Sequence, residues 1–243
     1  TPGKCNIDFA KEVFEYIVEC ESAYIFIGDF SKFFDKLQHR YLKEKIRDVI
    51  GTNSLDAADY AIYKNITKFA YVEADDIESV KGKYRRDMRN LEKYFETDEF
   101  HNFKKEHLYK NIKDYQIPHG SSISAVYANV YMVDFDKRIN DFVTSRKGIY
   151  RRYCDDIIVV VPMTRDEIIN GKNEEIADFI YKTGDDVPNL ELNEDKTEHF
   201  FYKEGVIEKL KGKQRCTRGY KRYKETSGLI EWKECQIFHS IFT

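Results

Sequence analysis

Tyr153-Cys154-Asp155-Asp156 sets two adjacent carboxylates between two short runs, Ile149-Tyr150-Arg151-Arg152-Tyr153 and Ile157-Ile158-Val159-Val160-Val161. Both runs are of strand length and rich in β-branched or aromatic residues, so the segment reads as strand, tight turn, strand. Two acids at a hairpin tip repel each other unless a cation joins them. Magnesium suits that role, because it takes hard oxygen ligands from one or two carboxylates together with substrate phosphates. A pair of such ions supports an in-line phosphoryl transfer. An Asp doublet in a turn is more often simply solvated, and the chain has further doublets at Asp75-Asp76 and Asp185-Asp186. Metal chemistry therefore needs a third carboxylate, a nucleotide pocket and a nucleic-acid surface.

Gly28-Asp29-Phe30-Ser31-Lys32-Phe33-Phe34-Asp35 supplies the third carboxylate. Asp29 ends a short apolar strand that begins at Tyr24, where an unpaired buried charge is expensive. Taken alone, Asp29 or Ser31 reads slightly better as a cap for the following helix. Taken with the hairpin, Asp29 and Asp155 are expected to bridge two Mg²⁺ ions, with Asp156 completing the acidic cluster. One ion would activate an attacking 3′-hydroxyl and the other would neutralise a leaving pyrophosphate. Phe34 is placed to lie beneath a bound sugar and exclude a 2′-hydroxyl, with ordinary core packing as the rival role for any Phe. In Ile117-Pro118-His119-Gly120-Ser121-Ser122-Ile123-Ser124, Gly120 permits an unusual backbone and close ligand approach, although the same residues also make a plain helix start. Lys196 could protonate or neutralise the pyrophosphate; in a chain this charged, most lysines are surface lysines.

These residues need a framework to hold them. At 243 residues, 42% hydrophobic and 34% charged, the chain can bury a sizeable core and is not of disordered composition. Its net charge of −3 is unlike that of a bulk nucleic-acid binder, yet Lys203 to Lys224 carries nine Lys or Arg against Glu204 and Glu208. A charge run is usually a solvated face, but this one interleaves Tyr220 and Tyr223, which suits a phosphate backbone with stacked bases. Arg218, Lys221 and Arg222 are the expected contacts there, with Arg152 and Tyr153 at the hairpin. The five cysteines (5, 20, 154, 216, 235) show no CxxC pair, as expected of free thiols in a reducing compartment. No apolar stretch reaches membrane-spanning length and no signal peptide opens the chain, so the expected location is the cytoplasm.

Residues 8–20 read as a helix, Tyr24 to Asp29 as a strand, Lys32 to Ile50 as a helix, and 55–115 as a charged helical stretch or insertion. Ser121 to Phe142 reads as one long helix with Ile123, Val126, Val130 and Val133 on a common side. The hairpin of 149–161 follows. Thr164 with Glu167 matches a capping box and starts a helix running to about Lys182. Asn189 to Tyr202 reads as a last pair of short strands around Asn193-Glu194-Asp195-Lys196. This order suits an α+β layer, an antiparallel sheet with helices packed on one face, in which Asp29 can lie beside the Asp155-Asp156 turn.

Together the motifs resemble the palm of a reverse transcriptase. Asp29-Phe30-Ser31-Lys32-Phe33-Phe34-Asp35 with His39 resembles the family's first catalytic motif. Pro118-His119-Gly120 with Ser124 and Asn129 resembles its nucleotide-binding motif, normally Pro-Gln-Gly. Tyr153-Cys154-Asp155-Asp156 resembles the Tyr-x-Asp-Asp hairpin, and Leu192-Asn193-Glu194-Asp195-Lys196-Thr197-Glu198 the later lysine motif. The resemblance covers roughly residues 20–202. It is greatest to the bacterial defence-associated and abortive-infection enzymes, on His119 in place of glutamine, Ser124-Ala125 in place of Ser-Pro, and Cys154.

The resemblance implies an RNA-directed or template-independent DNA polymerase in phage defence. Its catalytic residues would be Asp29, Asp155, Asp156 and Lys196. The metal site would comprise Asp29, Phe30, Asp155 and Asp156, holding two Mg²⁺ with Mn²⁺ as a substitute. Nucleotide would meet Ser31, Lys32, Phe33, Phe34, His119 and Gly120. Partners would be dNTPs and an RNA or DNA template-primer, and the reading admits a homo-oligomer. Residues 1–202 would form the palm with a remnant of the fingers, since Lys4 and Lys11 are the only cations before Asp29, and 203–243 a basic primer-grip or thumb-proximal segment. The alternatives are another palm nucleotidyltransferase using ribonucleotides, such as a cyclic-dinucleotide synthase or RNA-dependent RNA polymerase, and a catalytically inactive nucleic-acid-binding module.

Overall fold

A computed structural model describes residues 5–210 and 229–231. Along the chain run α1 (Asn6–Glu19), β1 (Ser22–Asp29), α2 (Phe33–Lys36), α3 (His39–Ile50), α4 (Ala57–Thr67), β2 (Ala70–Tyr71) and α5 (Ala74–Lys81). A 3₁₀ turn (Arg85–Met88) leads to α6 (Thr97–His107), β3 (Tyr109–Lys110), α7 (Ser122–Tyr131) and α8 (Val133–Thr144). Then come β4 (Ile149–Tyr153), β5 (Asp156–Pro162), α9 (Arg165–Ile169), α10 (Lys172–Asp185), β6 (Glu198–Lys203), β7 (Val206–Leu210) and β8 (Leu229–Glu231).

The fold is α+β. Six strands form an antiparallel sheet in the order β4-β5-β1-β6-β7-β8. β1 lies between β5 and β6 and is buried from Ala23 to Asp29. Alternation along it divides the interior in two. Tyr24, Phe26 and Phe30 face a large core built with Leu42 and Ile46 of α3, Tyr127 and Tyr131 of α7, Phe135, Ile139 and Val143 of α8, and Ile176 and Ile180 of α10. Ala23, Ile25 and Ile27 face a smaller core with Ile158, Val160, Phe200, Tyr202 and Ile207, closed by Val13 and Ile17 of α1. Helices therefore cover both faces of the sheet, not one as expected. The unbroken apolar run Tyr24–Ile27 carries the reason, since a strand with no polar side is buried on both.

Three expected elements differ. The helix of 121–142 is two helices hinged at Met132, whose φ of −93° and ψ of 2° leave the α region. Its buried residues in the first half are Ser124, Tyr127, Ala128 and Tyr131, whereas Val126 is 54% exposed. Small side chains let α7 approach α3 closely while tyrosine rings fill the space beyond, so size and shape overrode the valine pattern. The helix of 164–182 keeps its capping box, with Thr164 and Glu167 bonded reciprocally, but breaks at Gly171, φ 81°. The strand pair expected around 193–196 is instead β6 with β7, turning at Glu204-Gly205, while Leu192 forms only a single bridge with Phe30. Lys203 thus closes β6 and 206–210 belongs to the sheet; the rest of the basic segment up to Leu229 lies outside the described residues. The stretch 55–115 is mostly helical, with the two-residue pair β2–β3 closing its base.

Candidate active site

The β4–β5 hairpin closes on the pair Tyr153↔Asp156, leaving Cys154 and Asp155 as a two-residue turn. Cys154 has φ 57°, a left-handed conformation strained for a side chain with a Cβ, of order 1–3 kcal/mol. The turn is held from below. The Arg152 guanidinium donates to both carboxylate oxygens of Asp136 (2.8 and 2.6 Å), to the Cys154 carbonyl (2.8 Å) and to Asn129 Oδ1 (3.2 Å). Tyr150 donates to the same Asp136 at 2.6 Å. With a side chain only 6% exposed, Arg152 is a buried clamp tying the hairpin to α7 and α8 and not the nucleic-acid contact expected of it.

On the opposite face Asp29 and Asp156 stand directly across from each other at the end of β1 and β5, so both side chains project to the same side. The Phe30 amide donates to the Asp155 carbonyl at 3.1 Å, joining the turn to the strand that carries Asp29. Burial pushes the Asp156 carboxyl up to about 7, with Asp155 and then Asp29 adding repulsion and Lys196 opposing them. Lys196 Nζ sits 3.1 Å from Asp29 Oδ2. Its position follows from local chain geometry. The Asn193 amide donates to the Asp29 carbonyl at 2.7 Å, and the amides of Lys196 and Thr197 donate back to the Asn193 carbonyl, curling the segment over the strand end. The ion pair raises the Lys196 pKa above its ordinary value.

The donor set suits a hard divalent cation. Two facing carboxylates and a third beside them lie near one ammonium, and burial first, then their repulsion, holds the Asp156 carboxyl up. Their side chains do not yet converge: among the described residues no three Asp, Glu, His or Cys are grouped as a ready metal cage. Lys196 occupies one oxygen of Asp29, and burial with the neighbouring Asp155 raises the Cys154 thiol to about 11.

These groups open onto a cleft of about 1160 Å³ whose far wall is Phe34, His119, Gly120 and Ser121. The Phe34 and His119 rings stack with centroids 4.4 Å apart. Phe34 is placed by its carbonyl, which accepts the Ile117 amide at 3.0 Å. His39 and Asp35 secure the same loop through the Gln116 carbonyl (2.7 Å) and side chain (3.0 Å). Gly120 has φ 80°, a conformation that glycine adopts without strain. Ser31 is anchored through its amide to Glu191, and Lys32 is exposed with φ 50°. Phe30 and Phe33 are 1% and 2% exposed, so their rings belong to the core and only their backbones can face a ligand. Tyr153 is 54% exposed at the hairpin edge. Arg218, Lys221 and Arg222 lie outside the described residues.

The fold is shared with telomerase. Telomerase from Candida tropicalis, in the apo state and truncated of its C-terminal domain, superposes with a TM-score of 0.55 at 12% identity, over 84% of this chain and 38% of that one. Telomerase from Candida albicans with a fragment of telomeric RNA matches at a TM-score of 0.45 and 15% identity, over 84% of this chain and 32% of that one. The chain thus spans about a third of the length of the telomerases it matches. No protein-family model and no curated protein matches it.

Asp136 is the supporting residue that no sequence motif contains, whereas Asn129 and Asn193 fall within the Pro-His-Gly and lysine motifs. Asp136 reads as an ordinary first-turn acid of a helix, and nothing local pairs it with an arginine sixteen positions on. Glu198, across from Ile27 on the same side of the sheet as Asp29, also lines the cleft.

Proposed function

We propose that this chain is the palm of a nucleotidyltransferase that extends a nucleic-acid strand from deoxynucleoside triphosphates. The observation that carries it is the facing of Asp29 and Asp156 at the closing pair of β1 and β5, with Asp155 in the adjoining turn and Lys196 on Asp29. Telomerase, whose fold the chain shares, is a reverse-transcriptase-related polymerase, which supports the same class. The sequence resemblance alone carries the finer reading of DNA synthesis in phage defence.

In the proposed reaction a strand's 3′-hydroxyl oxygen attacks the α-phosphorus of a bound nucleotide, the bond to pyrophosphate breaks, and the hydroxyl proton passes to water. Asp29, Asp155 and Asp156 would hold magnesium, or manganese in its place, which lowers the hydroxyl's pKa and neutralises charge on the phosphates. Lys196 stands beside Asp29 as a protonated amine able to give a proton to the departing pyrophosphate. Phe34, stiffened by its stack on His119, forms a flat wall that would exclude a 2′-hydroxyl.

Incubating the protein with labelled dNTPs and Mg²⁺, with and without template and primer, tests the reading. Extension that Asp155→Asn abolishes, by on the order of 10²–10³-fold or more, supports it. Phe34→Ala is expected to raise ribonucleotide use relative to dNTPs; unchanged sugar preference rejects the gate. A second reading, a nucleic-acid-binding module without catalysis, is favoured by the absence of a ready three-ligand group among the described residues. Strand binding with no Mg²⁺-dependent extension would select it.

A further inference from the structure

The helical insertion carries a charged surface that the carboxylate site does not use. From Lys81 to Tyr94 six cations (Lys81, Lys83, Arg85, Arg86, Arg89 and Lys93) stand against Asp87 and Glu92, net +4 in a chain whose overall charge is −3. Acids flank this stretch on both sides, Glu73, Asp75, Asp76 and Glu78 before it and Glu96, Asp98 and Glu99 after it. The positive charge is therefore concentrated on one segment.

That segment is shaped and not a loose loop. α5 stops at Gly82, φ 61°, and the 3₁₀ turn is plugged into the interior by Met88, 1% exposed. The Asp87 amide donates to the Tyr84 carbonyl at 2.9 Å and the Leu91 amide to the Met88 carbonyl at 3.1 Å. Lys81 ties α5 to α6 by bonding Glu99 at 3.0 Å and lying 4.5 Å over the Phe95 ring. On this frame Tyr84, Arg85, Arg86, Arg89 and Tyr94 line an open cleft of about 770 Å³ with Glu78 as the single acid of its wall. Glu78 is already engaged, accepting from the Arg85 amide at 2.8 Å and from Arg85 Nε at 3.1 Å. Tyr84 and Tyr94 are 63% and 40% exposed, and the Arg86 guanidinium lies 5.1 Å from the Tyr84 ring.

A solvated charged face has no need of two exposed aromatic rings. Guanidinium forks match phosphate oxygens, and flat rings stack on bases of any sequence. We propose that this cleft binds a single strand of nucleic acid, with Arg85, Arg86 and Arg89 on phosphates and Tyr84 and Tyr94 beneath bases. The strand is the natural substrate of the proposed transfer site. Binding is measured here without nucleotide or divalent cation, so the two readings fail separately.

The test titrates the full chain into a fluorescein-labelled oligouridine in chelator and follows anisotropy over a range of salt. Arg86→Glu with Arg89→Glu is expected to weaken binding by at least about tenfold and to lower the slope of log K against log salt by roughly 1.4, two phosphate contacts' worth. Tyr84→Ala should weaken binding on the order of tenfold with the slope kept. Lys64→Glu with Lys137→Glu, the same charge change on α4 and α8, should leave affinity nearly unchanged. Circular dichroism checks folding, and Arg86→Gln with Arg89→Gln replaces the harsher pair if that pair misfolds. Undiminished binding by the arginine variants, or no binding by the parent, overturns the proposal. So does equal competition by polyglutamate, which would assign the surface to an acidic protein.

Discussion

The sheet and the helical stretch 55–115 hold their shapes by different means. β1 is buried from Ala23 to Asp29 and is packed on both faces, whereas α5 buries no residue and α6 only Phe103. The helical stretch relies instead on single anchors such as Met88 and on the stacked Phe95 and Phe103 rings (4.5 Å). The carboxylates proposed to hold metal sit on the first kind of structure, where close packing transmits position. A surface that tracks a pliable strand can sit on the second, where local opening is cheap.

Truncation separates the two regions most sharply. Phe26→Ala, at a site with no exposure, is expected to cost about 3–5 kcal/mol and to lower the single global unfolding transition in urea. Met88→Ala should instead speed hydrogen exchange within 74–107 while β1 amides stay protected; uniform loss of protection would erase the distinction. Next comes the clamp. Arg152→Met leaves the half-buried Asp136 with Tyr150 but without its cation and should cost roughly 1–3 kcal/mol, visible in thermal melts together with slowed strand extension. Arg152→Lys should restore part of the stability, because an ammonium keeps the charge but cannot reach all three acceptors.

A smaller effect comes from His199, which bonds Tyr24 Oη at 2.6 Å and whose pKa burial lowers from 6.5 to about 4. The unfolded chain takes up the proton first as pH falls, so this contribution is complete above pH 6.5 and declines toward pH 4. Between about pH 7 and about pH 5 the stability difference between the parent and His199→Gln in urea melts should shift by about 2 kcal/mol against the parent, while Asp156, held up near pH 7, contributes with the opposite sign in both proteins. Least of all, Glu99→Gln in α6 should leave the melting temperature unchanged within error, since exposed ion pairs contribute little.

Much of the site is legible in the sequence because its parts are local. The turn between Tyr153 and Asp156, the strand end at Asp29 and the capping box of Thr164 and Glu167 each follow from neighbouring residue types. The break at Met132 was not legible, and neither was the side on which α7 is buried. Valines at helical spacing suggested one face, but the neighbour's shape selected another through Ser124 and Ala128. Arg152 shows the same limit, because its partner Asp136 lies on a different element.

By itself the sequence determined which chemistry is available, since carboxylates, an amine and an aromatic wall are properties of residue types, and it determined the antiparallel α+β elements, since hydrophobic period and turn residues act over a few positions. Only the tertiary structure decided that Asp29 faces Asp156, that Lys196 reaches back to Asp29, and that α1 covers the second face of the sheet. Those outcomes depend on strand register and on contacts across long stretches of chain, where the balance of packing and desolvation is struck by whichever surfaces meet.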